Sequence, residues 1–246
     1  MRSEDSLFIG TAGWSIPPGH AEHFGEGSSL KRYSRIFRGA EINSSFHRSH
    51  RPATWLRWAE SVPDRFRFSV KMPKAISHER KLVDCDELVG RFLEEVSPLA
   101  DKLAILLLQL PPKLEFDPDL IERFLAHLLP LTSARLVCEP RHPSWFESEP
   151  GALLDRFGIA RVAADPARVP LAATPGGWRG LTYLRLHGSP IMYRSSYDEA
   201  RLADYAAMIR ADLDAGRDTW CMFDNTASSA AAGDALALMT KLDGKS

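Results

Sequence analysis

The segment 136–145, LVCEPRHPSW, places ionisable side chains directly after an apolar run. The carboxylate of Glu139 can accept a proton, the guanidinium of Arg141 can bind an anion, and the imidazole of His142 can transfer protons near neutral pH. Such side chains at the end of a buried segment either cap a loop or line a site. The concentration of ionisable groups favours a site, because buried charges are costly unless pairing or function retains them.

Four ionisable residues that end or follow apolar runs are the predicted catalytic residues. Glu139 or Asp224 would act as the general base, and His187 as a general acid or base. Lys71 would bind an anion through its charge or, if its neighbours desolvate the amine, form a Schiff base with a carbonyl. The predicted catalytic residues are therefore Lys71, Glu139, His187 and Asp224.

Further polar and aromatic residues at these chain positions are predicted to bind a substrate. Lys71, Arg141 and Arg185 together can clamp a phosphate or a carboxylate. We therefore expect an anionic small-molecule ligand. The residues predicted from these positions are Glu41, Asn43, Gln109, Arg141, His142, Trp145, Asp165 and Arg185.

Each of these assignments has a structural alternative. The charged residues together can form an ion-pair network that only stabilises the fold. His142 can cap the segment that follows it, and Trp145 can be a packing residue rather than a platform for a ring of the ligand. The sequence leaves these interpretations open.

Eight short apolar segments are predicted to be the strands that position these residues. Amphipathic segments with helical spacing separate most of them, with Ser29 and Asp117 as predicted N-caps. The predicted strands are residues 7–11, 40–44, 66–71, 104–110, 136–139, 161–165, 182–187 and 219–224.

Eight alternations of strand and helix predict an α/β fold, a (β/α)8 TIM barrel formed by a single domain of residues 1–246. The length agrees with the roughly 250 residues that such a barrel uses. An open, doubly wound sheet is the alternative, although no GxGxxG motif opens the first helix. The connection between the sixth and seventh strands, PARVPLAATPGGWRG, is rich in proline and glycine and is predicted to be poor in helix.

Side-chain alternation along a strand decides which residues share a face. Ser69 and Lys71 share a face in the third predicted strand, and Tyr183, Arg185 and His187 share one in the seventh. Because the helix layer needs the apolar faces, these polar faces are predicted to point into the barrel. Active sites of such barrels lie at the carboxyl ends of the strands, where most of these residues fall.

The composition excludes several classes of protein. Apolar residues make up 44% and charged residues 26%, so the chain can bury a core. The formal net charge of -1 predicts no electrostatic binding of nucleic acid or membranes by the protein as a whole. The opening MRSEDSLFIG is acidic and lacks the apolar region of a signal peptide. We expect a soluble, cytoplasmic protein that does not bind a membrane.

The cysteines and histidines do not form a recognisable metal motif. Cys85, Cys138 and Cys221 are odd in number and far apart, which is typical of buried free thiols in a reducing compartment. We predict no metal-binding residues and no cofactor. A divalent metal held by His187 and the strand-end carboxylates is the less favoured alternative, because the neighbouring lysine and arginines would repel it.

The chain resembles the YecE-like family, domain-of-unknown-function family 72, from about Leu7 to Met239. The resemblance rests on motifs that occur in the order the family shows. It implies a TIM-barrel fold related in outline to the endonuclease-IV-like and xylose-isomerase-like barrels, and it implies no established reaction. The motifs are IGTAGWS, EINSSFHR, TWLRWAESVPDRFRFSVKMPKAISH, LLLQLPP, CEPRHPSW, ADP, YLRLHGSP, YRSSY and FDNTASSAA.

The resemblance adds four residues to the predicted substrate-binding set, namely Trp14, His78, Tyr197 and Asn225. Some positions depart from the family pattern. His47 stands where a tyrosine is common, and Met192 stands where an aromatic residue is common. These departures concern the rim of the predicted barrel and leave the fold prediction unchanged.

Three functions stay open at this point. The first is an enzyme that acts on a phosphate- or carboxylate-bearing small molecule. The second, implied by the likeness to endonuclease-IV-like barrels, is metal-assisted phosphodiester hydrolysis or nucleic-acid binding, with aromatic residues that stack on bases. The third is a non-catalytic barrel that recognises a ligand or a partner. The sequence does not decide the oligomeric state.

Overall fold

Strands and helices alternate along residues 6–244, the part of the chain that the computed structural model describes. The strands are β1 (Leu7–Thr11), β2 (Gly39–Ile42), β3 (Arg67–Lys71), β4 (Leu103–Gln109), β5 (Arg135–Glu139), β6 (Ala160–Arg161), β7 (Ala163–Asp165), β8 (Gly176–Gly177), β9 (Leu181–Leu186) and β10 (Asp218–Phe223). The α-helices are α1 (Ser29–Tyr33), α2 (Pro52–Glu60), α3 (Asp86–Val96), α4 (Pro118–Leu128), α5 (Ser148–Arg156), α6 (Glu199–Asp214) and α7 (Ala230–Leu242).

Aspartate side chains fix the starts of two of the longer helices. Asp117 accepts a hydrogen bond of 3.0 Å from the backbone N–H three residues later, which confirms this predicted N-cap of α4. Asp198 caps α6 in the same way at 2.8 Å. The predicted cap at Ser29 is wrong, because Ser29 is the first residue of α1 and its hydroxyl instead donates to the carbonyl of Trp14.

The strands form two sheets that are almost entirely parallel. One sheet has the order β1-β10-β9-β7, and the other has the order β2-β3-β4-β5-β6-β8 with only β8 antiparallel. An isolated bridge between Ala12 and Glu41 joins the segment after β1 to β2. Each connection between parallel neighbours returns the chain to the same end, so the carboxyl ends of these strands lie together.

The strand pairing shows parallel sheets in one mixed α/β domain, without a complete eight-stranded ring of paired strands among the described residues. The predicted sixth strand is divided at Val162 into β6, which pairs with β5, and β7, which pairs with β9. The predicted second strand extends too far, because β2 ends at Ile42 and Asn43 precedes a 3-10 turn, Ser44–Phe46. Between β7 and β9 the chain forms a 3-10 turn (Pro170–Ala173) and the short strand β8.

The side chains between the strands change character from one end of the sheets to the other. A small apolar cluster near the amino ends stacks the ring of Trp220 on Phe8 at 4.5 Å and places Tyr183 parallel to it at 6.0 Å. Near the carboxyl ends the buried residues are polar or charged, namely Glu41, Ser69, Lys71, Gln109, Glu139, Arg185 and His187. The larger apolar cluster faces the helices, as alternation requires.

The structure bears on two predictions about the environment of the chain, namely the absence of a membrane-spanning helix and the state of the cysteines. Within residues 6–244, no helix has the length and apolar composition that crossing a membrane requires. The three cysteines are buried and free. The first five residues, half of the segment on which the signal-peptide prediction rests, lie outside the described residues.

Candidate functional site

Arg185 in β9 is a fully buried guanidinium that contacts three carboxylates. Its Nε and Nη2 donate to Glu41 at 2.9 and 2.6 Å, its Nη1 donates to Glu139 at 2.6 Å, and Nη2 also donates to Asp224 at 3.1 Å. Burial acts to lower the pKa of Arg185, but the carboxylates raise it well above its usual value. All three nitrogens are paired and the residue is 0% exposed, so this geometry leaves Arg185 to orient the carboxylates rather than touch a substrate.

Two hydroxyl groups lie below this guanidinium. The Tyr183 hydroxyl lies 2.9 Å from Oε2 of Glu41 and 2.8 Å from Oγ of Ser69. Burial, followed by the negative charge of Glu41, raises the pKa of Tyr183, so the phenol stays protonated and donates to the carboxylate. We name Glu41, Ser69, Tyr183 and Arg185 the inner cluster.

Glu139, at the end of β5, is a buried carboxylate with partners on several sides. The Gln109 amide donates to both of its oxygens at 3.0 Å, and the Arg141 Nε and Nη2 donate to Oε1 at 3.1 and 2.8 Å. Burial acts to raise the pKa of Glu139, but Arg185, His187 and Arg141 together lower it well below its usual range. Glu139 is therefore ionised at neutral pH and is poorly suited to accept a proton there.

His187 follows β9 and is held by Asp224. The Nδ1 of His187 lies 2.9 Å from Oδ2 of Asp224, which orients the ring with Nδ1–H donating to the carboxylate. The Nε2 lies 3.7 Å from Oε1 of Glu139 and makes no hydrogen bond within residues 6–244. Burial acts to lower the pKa of His187, but the hydrogen bond to Asp224 and the negative charge of nearby Glu139 raise it above 6.5. This imidazole can therefore exchange a proton near neutral pH through Nε2.

Lys71, the last residue of β3, is buried, and its amine forms no ion pair with a carboxylate of the described residues. The residue is 8% exposed, and its Nζ makes no hydrogen bond or ion pair with any described residue. The Nζ lies 4.1 Å from the centre of the Phe46 ring. Burial and then the charge of Arg185 lower the pKa of Lys71 to about 8, although three nearby carboxylates act to raise it. We name Lys71, Glu139, Arg141, His187 and Asp224 the outer cluster.

A cavity of about 20 Å³ opens beside the outer cluster, between Glu139, Arg141 and His187. This volume is close to that of one water molecule. Arg168 and Met192 also line it, and both side chains reach solvent. Arg141 uses two of its nitrogens on Glu139, and its Nη1 makes no hydrogen bond within the described chain. Two arginines, the carboxylate-bearing Glu139 and His187 thus line the cavity.

Three further predicted residues lie at the edge of the two clusters. The Asn43 amide donates to Oδ1 of Asp224 at 3.3 Å, while its own Oδ1 is buried without a partner in the described chain. His78 packs against Phe46, and burial followed by the charge of Lys71 lowers the pKa of His78. His142 caps the 3-10 turn Pro143–Phe146 through Ser144, which is the structural alternative considered for it.

The other predicted residues make their contacts away from the clusters. Trp145 is buried, donates its indole N–H to the Leu114 carbonyl and packs on Phe116, as a packing residue does. Trp14 packs edge-on against Trp58 and Phe68.

Asp165 and its neighbours form a separate polar group at the start of α6. The Asp165 carboxylate accepts hydrogen bonds from Arg201 at 2.8 Å and from Tyr205 at 2.6 Å, so it does not join Arg185. Tyr197 accepts from the Gly188 N–H, and the Asn225 amide donates to Asp234 at 2.6 Å. These contacts anchor the segment between β9 and α6 rather than the outer cluster.

Two residues near the site were not predicted from the sequence. Arg168 lies in the irregular connection after β7, where no strand alternation indicates a direction. Tyr193 places its ring edge-on to His187 at 5.6 Å and has a positive φ of 66°, so the turn around it holds the ring over the imidazole. The YRSSY motif was the only available signal for Tyr193, and it carried no chemistry by itself.

Larger cavities lie elsewhere, away from the inner and outer clusters. One of about 800 Å³ lies between α6 and α7, where Lys241 pairs with Glu199 and Arg210 donates to backbone carbonyls. Within residues 6–244, no group of three or more His, Cys, Asp or Glu residues is arranged to hold a metal ion. The small cavity beside His187 is therefore the candidate functional site.

The fold and the site together define a parallel α/β protein whose buried ionisable residues gather at the carboxyl ends of its strands. The chain belongs to the family described as "Protein of unknown function DUF72", whose model matches residues 8–246. This membership confirms the resemblance found in the sequence.

Curated relatives carry names without a stated activity. The UPF0759 protein YecE of Escherichia coli (strain K12) is 35% identical over 166 residues, a match that covers 65% of this chain and 59% of YecE. The chain thus spans about three fifths of that relative's length. The UPF0759 protein YunF of Bacillus subtilis (strain 168) is 22% identical, with 96% of this chain and 95% of YunF covered.

Solved structures of the same family share the fold. A DUF72 family protein from Thermotoga maritima superposes with a TM-score of 0.79 at 24% identity, over 96% of this chain and 99% of that chain. A DUF72 family protein from Enterococcus faecalis V583 gives a TM-score of 0.79 at 19% identity, over 96% and 95%. At these identities the likeness shows the fold alone.

Proposed function

We propose that this protein is an enzyme that acts on a small molecule bearing a phosphate or a carboxylate, at the cavity beside His187. The observation that carries the proposal is the His187 ring, which lines that cavity: Asp224 holds its Nδ1, while its buried Nε2 makes no hydrogen bond within the described residues and has the Glu139 carboxylate 3.7 Å away. A buried ring nitrogen without a hydrogen bond lowers the stability of a fold. A proton-transfer role accounts for its retention.

His187 is the general acid or base of the proposed reaction. Because Asp224 stabilises the imidazolium and fixes the ring, Nε2 is the atom that can take or give the substrate's proton. The raised pKa of His187 suits this exchange near neutral pH. Glu139, whose pKa is well below its usual range, serves as a fixed negative charge.

The anionic group of the substrate is bound by Arg141 and Arg168. Arg141 Nη1 has no hydrogen bond within the described chain, and Arg168, which is exposed, also lines the cavity. Guanidinium groups match the geometry of phosphate and carboxylate oxygens. The cavity holds about one water, so a ligand must displace the side chains of Arg168 and Met192, which already reach solvent.

The two sheets together form the walls of a (β/α)8 barrel in this proposal. The Ala12–Glu41 bridge joins β1 to β2, and the backbone N–H of Val162 donates to the Cys138 carbonyl of β5 at 2.8 Å between β6 and β7. These contacts support closure at both junctions between the sheets. Active sites of such barrels lie at the carboxyl ends of the strands, where the outer cluster is found.

Thermal unfolding in the presence of inorganic phosphate and small carboxylates tests the binding part of the proposal. We expect phosphate to raise the melting temperature of the wild type, because a ligand bound only by the folded state stabilises it. Arg141→Met should abolish this rise. Arg156→Met is the matched control, because Arg156 lies on the surface in an ion pair with Glu122.

Consumption of metabolites tests the catalytic part. Wild-type protein and His187→Gln are incubated with a mixture of phosphate- and carboxylate-bearing metabolites, and mass spectrometry follows each compound. We expect loss of at least one compound with the wild type only. Ligand binding without any consumption would identify a non-catalytic binding barrel. Binding of oligonucleotides in preference to small anions would favour the nucleic-acid alternative.

A further inference from the structure

Lys71 differs from another buried lysine of the same chain in how it is paired. Lys102 is 9% exposed, donates to the Pro63 carbonyl at 3.0 Å and lies 3.6 Å from Oδ1 of Asp64. Lys71 is 8% exposed and makes neither kind of bond with any described residue. A lysine is rarely buried unless it is paired, and among the described residues the Lys71 amine has the face of the Phe46 ring, 4.1 Å away, in place of a hydrogen-bond acceptor.

The surroundings of Lys71 lower the pKa of its side chain, although the carboxylates of Glu41, Glu139 and Asp224 act in the opposite direction. Burial removes water from the nitrogen, and the neighbouring Arg185 adds a positive charge. Both effects disfavour the charged form, and the pKa of Lys71 falls to about 8. An appreciable fraction of the amine therefore has a free electron pair at mildly alkaline pH, which is how enzymes activate lysine as a nucleophile.

Lys71 lies at the same end of the strands as the proposed site. Lys71 ends β3 and His187 follows β9, so both lie at the carboxyl ends of their strands. The charges of Glu139 and Asp224, which contact His187, also act on Lys71. The amine and the imidazole thus share the same group of carboxylates. Phe46 covers one side of the amine and excludes water from it.

We propose that Lys71 forms an imine with the aldehyde or ketone carbonyl of an anionic substrate. This inference rests on the proposed function, because Arg141 and Arg168 hold the anionic group and His187 exchanges the protons. It narrows the substrate class to small phosphates or carboxylates that also carry a carbonyl group, such as 2-oxo acids.

The proposed step balances without an oxidant or a reductant. The Nζ electron pair adds to the carbonyl carbon and forms a carbon–nitrogen bond. The carbonyl oxygen then leaves as water with the two hydrogens of the amine, and the nitrogen forms a double bond to carbon. One additional proton, from the imidazolium of His187, keeps the imine positively charged.

Borohydride trapping tests the imine. The full chain is incubated with glyoxylate, pyruvate or dihydroxyacetone phosphate, reduced with sodium borohydride, digested and analysed by mass spectrometry. We expect one adduct per chain, on the peptide that contains Lys71, and only in samples with both the carbonyl compound and the reductant. Lys71→Met should lose the adduct, and the matched control Lys102→Met should keep it.

The pH dependence of amine labelling gives a second measurement that needs no variant. Limiting acetic anhydride labels unprotonated amines, and the extent of labelling is read at Lys71 and Lys102 in the same sample. We expect the labelling of Lys71 to have its midpoint near pH 8. A midpoint above pH 10 would overturn the inference, because the nucleophilic amine would then be absent.

Failure of this inference is distinguishable from failure of the proposed function. If phosphate stabilises the wild type through Arg141 but no probe gives an adduct at Lys71, the imine is overturned and the anion site stands. If neither phosphate binding nor an adduct is observed, both fail. Adducts spread over exposed lysines, with no preference for Lys71, also overturn the imine.

Discussion

The inner cluster and the outer cluster both bury charges, but they differ in how completely those charges are paired. In the inner cluster, every nitrogen of Arg185 donates to a carboxylate, and the Tyr183 hydroxyl bonds to both Glu41 and Ser69. In the outer cluster, Nε2 of His187 and Nζ of Lys71 have no hydrogen-bond partner in the described chain. Glu139 and Asp224 connect the two clusters, because both belong to the outer cluster and both accept hydrogen bonds from Arg185 of the inner cluster.

This difference separates a structural role from a chemical one. In a fully paired buried ion network the attraction between the charges offsets much of their desolvation cost, whereas removing one partner leaves an uncompensated charge. A buried ionisable group that is incompletely paired lowers the stability of the intact protein, and such groups are concentrated at functional sites. We therefore interpret the inner cluster as the support and the outer cluster as the reactive surface that it orients.

The largest expected effect comes from breaking the inner cluster at its centre. Arg185→Met removes the cation that contacts Glu41, Glu139 and Asp224, leaves the buried charge of Glu41 without this ion pair, and should lower the free energy of unfolding by about 3–5 kcal/mol. Urea denaturation at neutral pH measures this loss. Arg156→Met, which breaks an exposed ion pair, should cost less than about 1 kcal/mol. Equal losses in the two variants would contradict the special role of Arg185.

The pH dependence of stability tests the unpaired amine of the outer cluster. Because the pKa of Lys71 is about 8 in the folded protein and ordinarily 10.5, the folded state binds fewer protons between these values. Stability then rises with pH across that window. The free energy of unfolding of the wild type, relative to Lys71→Met, should increase by roughly 3 kcal/mol or less from pH 7.5 to 10.5.

The subtraction of the Lys71→Met curve removes the contributions of other titrating groups. At pH 7.5 the variant should be as stable as the wild type or more stable, because methionine carries no charge that must be desolvated. A difference that stays constant with pH would show that the amine of Lys71 is not perturbed.

Removing one hydroxyl from the inner cluster should have a smaller effect. Tyr183→Phe deprives the Glu41 carboxylate of a donor and should lower the free energy of unfolding by about 1–2 kcal/mol, measured in urea. Tyr193→Phe is the control, because its hydroxyl is near the surface and its ring remains against His187. A larger loss in Tyr193→Phe would contradict the supporting role assigned to the inner cluster.

The smallest expected effect on stability belongs to the rim of the cavity. Arg168 is exposed, so Arg168→Ala should change the free energy of unfolding by less than about 0.5 kcal/mol. The same variant should bind inorganic phosphate several-fold more weakly than the wild type, as measured by isothermal titration calorimetry. Unchanged phosphate affinity would remove Arg168 from the proposed anion site.

Part of this arrangement was predictable from the sequence. Alternation in β3 and β9 placed Ser69, Lys71, Arg185 and His187 on interior faces, because the pleat of a strand fixes which side chains share a face. The family motifs agreed with these positions. The sequence could not show that Arg185 would be saturated by carboxylates, because the number of partners depends on strands that are distant along the chain.

The loops and the strand ends were less predictable. Asp165 ends a strand as expected, but its carboxylate accepts hydrogen bonds from Arg201 and Tyr205. These two residues lie in α6, 36 and 40 residues later in the chain. Arg168 lies in an irregular connection, where no period relates sequence to direction. His142 caps a 3-10 turn, and Trp145 donates to the Leu114 carbonyl in the core. Both side chains make these contacts without a ligand.

The most direct test of the central claim is a nuclear magnetic resonance titration of the His187 ring nitrogens, with and without inorganic phosphate. We predict that His187 titrates with a pKa above 6.5 and that phosphate shifts the Nε2 resonance and raises this pKa further, because the anion stabilises the imidazolium. Arg141→Met should remove the phosphate effect. A ring whose resonances and pKa do not respond to phosphate at tens of millimolar would contradict an outer cluster built to receive an anionic ligand.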